Sequence, residues 1–289
     1  MAEVATFSIV AYDPVHGEWG VAVRSRLLMV GAVVPWAEAG VGCLATQAAA
    51  NVSYGPRGLA LLRSGLPAAE VVAELLKADE GRDYRQLAVV GRGGDVFAYT
   101  GRHCPAEAAH VVGPGFACQG SALSARQVVE AMADAFAKAK GELAERLLAA
   151  LVAGERAERS RARRLSAALL VVRAEGGYGH YTDRAIDLRV DDHPRALAEL
   201  VRLLGRYRLY YGTPRLDEQL RIHGELAREL ALRLARLGFY RGPEVETWTE
   251  ALADALEAFH EEENLEGRIV DPRYVDRRVL AYLRELTSK

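Results

Sequence analysis

Apolar and polar residues alternate with a period of two from Thr6 to Tyr12, and the pattern breaks at Asp13-Pro14 and Gly17. A second β-rich run, Trp19–Val23, follows at once, so the pair predicts a β-hairpin. Leu28–Pro35 and Val41–Gln47 are two further apolar runs that predict strands, with Gly40 and Gly42 marking the turn into the second. After Pro56 the period changes. Gly58–Ser64 and Ala68–Lys77 place apolar residues at i, i+3 and i+4, which predicts helices with one buried face, and Pro67 stands at a helix start. Gln86–Val90 and Val96–Thr100 flank the turn-rich GRGGD and predict a second hairpin. Gln127–Lys140 and Glu142–Ala153 predict two more helices separated by Gly141. Ser166–Arg173, the turn Ala174-Glu175-Gly176-Gly177 and a return strand around Ala185–Val190 predict a third hairpin. Pro194–Leu209 predicts one long helix, with Asp191 and Asp192 near its positive end.

Strands grouped in hairpins imply antiparallel sheets, and helices gathered in pairs need apolar sheet faces to bury against. Two antiparallel sheets stacked face to face, each covered outside by helices, satisfy both demands. The fold class expected is therefore α+β, a four-layer αββα sandwich. The texture changes after Gly212-Thr213-Pro214. Leu216–Arg236 reads as one helix, LGFYRGPEVE interrupts, and Thr249–His260 and Pro272–Leu286 supply two more. The expected organisation is a first domain over residues 1–211 and a small all-α domain over 212–289.

Composition narrows the function classes. Of the 289 residues 50% are hydrophobic and 26% charged, which is ordinary for a folded chain and argues against disorder. A net charge of −2 supplies no basic field for nucleic acid or a membrane surface. The basic run Arg156–Arg164 lacks interleaved aromatics and reads as an exposed loop. Cys43, Cys104 and Cys118 form no CxxC pair, so neither a disulfide framework nor a zinc site is expected. Asp191, Asp192 and His193 read as helix capping rather than metal ligands, and His260 beside Glu261–Glu263 as a solvated helix end. No basic leader with a long apolar run opens the chain and no stretch is long enough to span a bilayer, so a cytoplasmic location is expected. Arginine outnumbers lysine and asparagine occurs only at Asn51 and Asn264, a bias that suits a heat-adapted or high-GC bacterial source. Hairpin sheets have edges that need cover, which makes a homodimer the general expectation.

The strings TFSIVAYD, GEWGVAVRS, VGAVVPWAEAGVG, ATQAAANVSYGPRGLALL and GPGFACQGSAL, continued by SAALLVVRAEGGYG and DLRVDDHP, resemble the bacterial and archaeal family known as domain of unknown function 1028, placed among the N-terminal-nucleophile hydrolase-like proteins. LGFYRGPEVETWTEALADALEAFHEEENLEG resembles a peptidoglycan-binding module that follows this domain in some chains. The first resemblance implies an N-terminal-nucleophile hydrolase fold and acyl transfer from a small-molecule amide, with no cofactor and no metal. In such enzymes the first residue of the mature chain is the nucleophile and its own α-amine is the base. The matching residue is Thr6, here preceded by Met1-Ala2-Glu3-Val4-Ala5, so five residues must be removed before an amine is free.

The resemblance further implies Asn51 and Gln119 as catalytic partners that orient substrate or stabilise the oxyanion. It implies Arg26, Thr46, Gln47, Tyr54 and Ser166 as the substrate-binding set. Ser121 and Leu165 stand where the family pattern has amides, which removes two candidate oxyanion donors. Each residue also has a plain reading. Thr6 suits any β-strand, Ser8 beside it a sheet hydroxyl, Asn51 a turn or helix cap, Gln119 a buried hydrogen bond that fixes a loop, and Asp13 a turn. The competing expectation for the whole chain is a catalytically inactive hydrolase fold used as a binding scaffold, its helical tail recognising glycan or a protein.

Overall fold

A computed structural model describes residues 4–105, 107–158 and 165–288. The chain opens with β1 (Thr6–Asp13) and β2 (Glu18–Ser25), the expected hairpin. Tyr12 and Trp19 are cross-strand partners beside its turn and stack with ring centroids 4.6 Å apart. β3 (Pro35–Glu38) and β4 (Gly42–Ala48) follow, then α1 (Tyr54–Arg63) and α2 (Ala68–Lys77). The hairpins β5–β6 (Arg85–Val90, Val96–Thr100) and β7–β8 (Ala109–Gly113, Phe116–Ser121) lead to α3 (Gln127–Lys138) and α4 (Leu143–Ala157). β9 (Leu165–Val172), β10 (Arg184–His193) and α5 (Ala196–Tyr211) come next.

These strands form two antiparallel sheets, one six-stranded in the order β10-β9-β2-β1-β8-β7 and one four-stranded in the order β3-β4-β5-β6. Val10, Val21 and Val23 of the larger sheet and Cys43, Ala45, Ala88 and Val90 of the smaller share one buried apolar cluster, so the sheets face each other. Leu44, Leu87 and Val89 on the opposite face of the small sheet pack with Tyr54, Leu59 and Leu62 of α1 and Val71 and Leu75 of α2. α4 covers β1 and β2: a Cβ on Gly20 of β2 would lie 2.5 Å from Leu147 of α4. β1 is thus buried on both faces, Phe7, Ile9 and Ala11 toward the helices and Thr6, Ser8 and Val10 toward the other sheet.

Several expected elements are corrected. The apolar run Leu28–Pro35 is no strand. It holds a 3₁₀ turn at Val30–Ala32 entered through Met29 in the left-handed region (φ 51°), and β3 starts only at Pro35. α1 begins at Tyr54, before Pro56, because a proline in the first helical turn gives up an N–H that has no partner there anyway. The segment holding Gln119, expected as a loop, is a fully buried strand whose hairpin turns at Pro114-Gly115. Asp191, Asp192 and His193 belong to β10, although the His193 ring does accept from the Arg195 N–H. Of the basic run Arg156–Arg164, residues 159–164 lie outside the described residues.

The chain divides into two compact units, Met1–Arg202 and Leu203–Lys289. In the second, β11 (Gln219–Arg221) pairs with β12 (Tyr274–Asp276), and α6 (Glu225–Arg236), α7 (Glu250–Glu262) and α8 (Arg277–Leu286) enclose an apolar core around Leu230, Phe259 and Val279. The unit is helical, as expected, but Leu216–Arg236 is not continuous: β11 ends it and Gly224, at φ 56°, turns the chain into α6. His260 is buried at 3% exposure, not a solvated helix end. Among the described residues no helix is long and apolar enough to cross a membrane.

Candidate functional site

Thr6 is the first residue of β1, and the sheet register sets a row of hydroxyls beside it. Ser25 faces it from β2, Ser121 from β8, and Ser166 follows Ser25 on β9. Cross-strand partners share a face, so all four hydroxyls lie on the side that carries Val10, between the sheets. Thr6 is 6% exposed and the three serines are fully buried.

The proton positions in this row follow from its partners. Thr6 Oγ1 donates to the Val4 carbonyl at 3.1 Å and lies 2.7 Å from Ser25 Oγ. With its one proton so used, Thr6 accepts from Ser25, and Ser25 accepts in turn from the Leu27 N–H at 2.9 Å. Ser166 donates to the Leu27 carbonyl and accepts from the Val30 N–H, so it pins the 27–30 turn and does not reach Thr6. Ser121 Oγ has no partner among the described residues. The Thr6 nitrogen is held in an amide with Ala5, whose carbonyl accepts from the Arg26 N–H at 3.1 Å. The Arg26 side chain itself is exposed.

One step further into the sheet, Ser8 and Gln119 are partners. Ser8 Oγ donates to Gln47 Oε1 at 2.6 Å and accepts from Gln119 Nε2 at 3.3 Å. Gln119 Nε2 also donates to the Ala45 carbonyl, and Gln47 Nε2 to the Thr6 carbonyl and to Gln86 Oε1. Gln86 closes the network on Thr100 Oγ1 and the Ala109 and Gly120 carbonyls. Both amide hydrogens of Gln119 and both of Gln47 are therefore engaged, and the one open atom of Gln119 is its acceptor Oε1. An acceptor cannot stabilise an oxyanion, so the geometry does not give Gln119 the donor role expected of it.

Thr46, Asn51 and Tyr54 belong to a different cluster. Alternation sends Thr46 to the face opposite Gln47, where its hydroxyl donates to the Asn51 carbonyl at 3.4 Å. Asp79 is the hub: it accepts from Tyr54 OH at 2.7 Å, Asn51 Nδ2 at 3.1 Å, Arg85 Nε at 2.9 Å and the Gly81 N–H at 2.8 Å. The Arg85 guanidinium, then Tyr54 and Asn51, hold the Asp79 carboxyl well below the usual carboxylate range. Burial, with the Asp79 hydrogen bond second, pushes the Tyr54 phenol up. Asn51 Oδ1 accepts from the Ser53 N–H, the turn role weighed for it. Cys43 and Cys118 are buried thiols pushed up by burial, Cys43 to about 12, and neither is a nucleophile.

The model of the family described as "Family of unknown function (DUF1028)" matches residues 6–200. The chain belongs to this family. The DUF1028 match starts at Thr6, so the residues before it lie outside the family pattern. A second model, described as "Putative peptidoglycan binding domain", matches residues 212–283. Among solved structures the chain is similar to protein SPO2555 from Silicibacter pomeroyi, itself described as a DUF1028 protein, at 31% identity and a TM-score of 0.66. That match covers 74% of this chain and 93% of the other. No curated protein matches.

Sequence reasoning missed Ser25 and Gln86 in this DUF1028 chain. Gln47 and Gln86 are direct partners on β4 and β5, so two polar residues at inward positions of otherwise apolar strands were the available signal.

Proposed function

We propose that this chain is the latent form of an amide hydrolase of the N-terminal-nucleophile kind, built on a four-layer αββα sandwich, with Thr6 as the nucleophile. The observation that carries the reading is the unpartnered buried hydroxyl of Ser121, set directly opposite a Thr6 hydroxyl that Ser25 already holds. Hydrolysis of the Ala5–Thr6 peptide bond would leave a carboxylate on Ala5 and a free amine on Thr6. That amine would take the Oγ1 proton as Oγ1 attacks the carbonyl carbon of a small amide. Ser25 would donate to the reacting oxygen and Ser121, in place of an amide side chain, to the oxyanion. The amine would return its proton to the leaving nitrogen, and water would then cleave the threonyl ester. Gln119, Gln47 and Ser8 set the sheet-to-sheet spacing around Thr6, and Asn51, Tyr54 and Thr46 hold the loop before α1.

The test compares hydrolysis of a panel of small N-acyl amides by the chain started at Thr6 and by its Thr6→Ala counterpart. Turnover by the first alone supports the reading. A folded Thr6-started protein no faster than Thr6→Ala across the panel removes it.

A second reading, an inactive scaffold, is favoured by the packing of the leader. Ala5 is 1% exposed, and both it and Val4 hydrogen-bond into the end of the sheet. For the C-terminal unit we propose contact with glycan, supported by its match to a peptidoglycan-binding domain. Retention of the full chain on insoluble peptidoglycan tests this.

A further inference from the structure

The turn between β2 and β3 is firmly held, yet it displays apolar side chains to solvent. Val30 is fully buried, and a Cβ on Gly31 would lie 2.8 Å from the Ala168 Cβ, so the turn sits directly on β9. Leu27 is 37% exposed, and Leu28 and Met29 are 50% exposed each. Hydrogen bonds fix the backbone on both sides of these residues. The Leu27 N–H donates to Ser25 Oγ at 2.9 Å and the Leu27 carbonyl accepts from Ser166 Oγ. The Met29 N–H donates to the Asp191 carbonyl at 3.0 Å, and the Val30 N–H to Ser166 Oγ at 3.2 Å.

Met29 stands in the left-handed region at φ 51° and ψ 47°, where a side chain is strained and glycine would not be. Such strain persists only where the surroundings enforce it, and it gathers at working sites. Three aliphatic side chains held out in water contribute nothing to the fold, since burial is what stabilises them. A rigid apolar surface of this kind is suited to binding, because little freedom is lost when a ligand covers it.

The turn adjoins the reacting atom. Ser25 Oγ links the Leu27 nitrogen to Thr6 Oγ1 through two consecutive hydrogen bonds. Arg26 before the turn and Asp191 and Asp192 beside it are exposed and opposite in sign, which favours a neutral occupant over an ion. The turn carries no aromatic ring on which a flat group could stack, and leucine and methionine side chains adapt to a flexible chain. We infer that Leu27, Leu28 and Met29 determine the specificity of the Thr6 site and receive an aliphatic chain carried by the substrate amide. The inference deepens the hydrolase reading and rests on it for the amide, whereas the affinity of the turn for such a chain is independent of turnover.

The experiment follows the methionine methyl groups by NMR in the full chain, which contains three methionines, with Met29→Leu to assign the signal. Acetamide, hexanamide, octanamide and benzamide are each titrated to about 10 mM, a range that detects millimolar sites. The inference expects a saturable shift of the Met29 methyl with the two longer amides and none with acetamide, while the buried Met132 methyl stays still. The Kd should fall about fourfold from hexanamide to octanamide, about twofold for each half-covered methylene. Leu28→Ser should weaken octanamide binding at least about threefold, with unchanged circular dichroism. Val112→Ser, at a similarly exposed residue of β7, should not weaken it. No saturable shift at Met29, equal Kd values for hexanamide and octanamide, tighter binding of benzamide, or equal losses in Leu28→Ser and Val112→Ser overturns the inference. Turnover of the same amides by the Thr6-started chain is measured beside it. Turnover that ignores chain length, with a silent Met29, sinks the inference alone. A responding Met29 without turnover above that of Thr6→Ala supports the aliphatic site and sinks the nucleophile reading alone.

Discussion

Thr6 Oγ1 and Ser25 Oγ lie 2.7 Å apart across the β1–β2 ladder, and the Val4 carbonyl, which takes the one Thr6 hydroxyl proton, fixes the direction of the hydrogen bond between them. The serine is a donor to the threonine, not its base. It can stabilise a developing alkoxide, and a neutral serine hydroxyl is far too weak a base to take the threonine proton.

Ser25→Ala removes that donor and leaves the Leu27 N–H and the buried Thr6 oxygen each short of a partner. It is expected to destabilise the first unit by about 1–3 kcal/mol, read by urea denaturation. It should also slow the Thr6-started enzyme without changing the pH at which its amine titrates. A shift of that pH would instead make Ser25 part of the base.

Ser121→Ala separates structure from chemistry. Its hydroxyl has no partner among the described residues, so removing it is expected to leave stability unchanged or raise it by up to about 1 kcal/mol. Loss of an oxyanion donor should nevertheless lower turnover by the Thr6-started form about 100-fold. A large destabilisation in the same melts would show that the hydroxyl is bonded in solution.

Gln86→Leu strips the inter-sheet network of the amide that serves Thr100, Ala109 and Gly120 and takes away the acceptor of Gln47. The expected loss is about 3 kcal/mol, since several buried polar groups are orphaned together. A denaturation midpoint equal to that of the wild type would mean water replaces the glutamine there.

Asp79 predicts a pH dependence with a definite sign. Its folded pKa lies below the unfolded value of about 3.9, because Arg85 and three further donors stabilise the carboxylate. The stability it contributes is complete above about pH 4 and is lost as pH falls from there toward the folded value. Asp79→Asn should cost about 3 kcal/mol at pH 7, where Arg85 loses its partner, and the gap to wild type should narrow on going to pH 3. Denaturation at both pH values reads it. A constant gap would contradict the assignment.

The fold was legible where one chemistry repeated. Thr6–Tyr12 and Trp19–Val23 alternate, and Ala68–Lys77 keeps a helical stripe, so their partners followed. It was not legible at Leu28–Pro35, apolar without alternation, where Met29 turns left-handed and its N–H bonds to the Asp191 carbonyl on a strand far along the chain. β8 was hidden because both of its faces are buried and Gly113-Pro114-Gly115 beside it reads as a loop. β11 was hidden because QLRIHGEL continues the apolar spacing of the helix after it. Of the candidate site, Thr6, Ser8, Gln47 and Gln119 do converge. Thr46 separates from Gln47 because adjacent strand residues point to opposite faces, a consequence that needs only the strand's bounds. The directions of the Gln119 and Gln47 amides depend on the register of two sheets, which no local pattern encodes.

The most direct test of Thr6 as nucleophile is covalent capture. The protein started at Thr6, the full chain and the Thr6→Ala variant are each incubated with an electrophilic β-lactone, and the intact mass and the labelled peptide are determined. The account predicts one adduct, on Thr6, in the Thr6-started protein and none in the other two. A folded Thr6-started protein without an adduct at that residue, or equal labelling of Thr6→Ala, would contradict it.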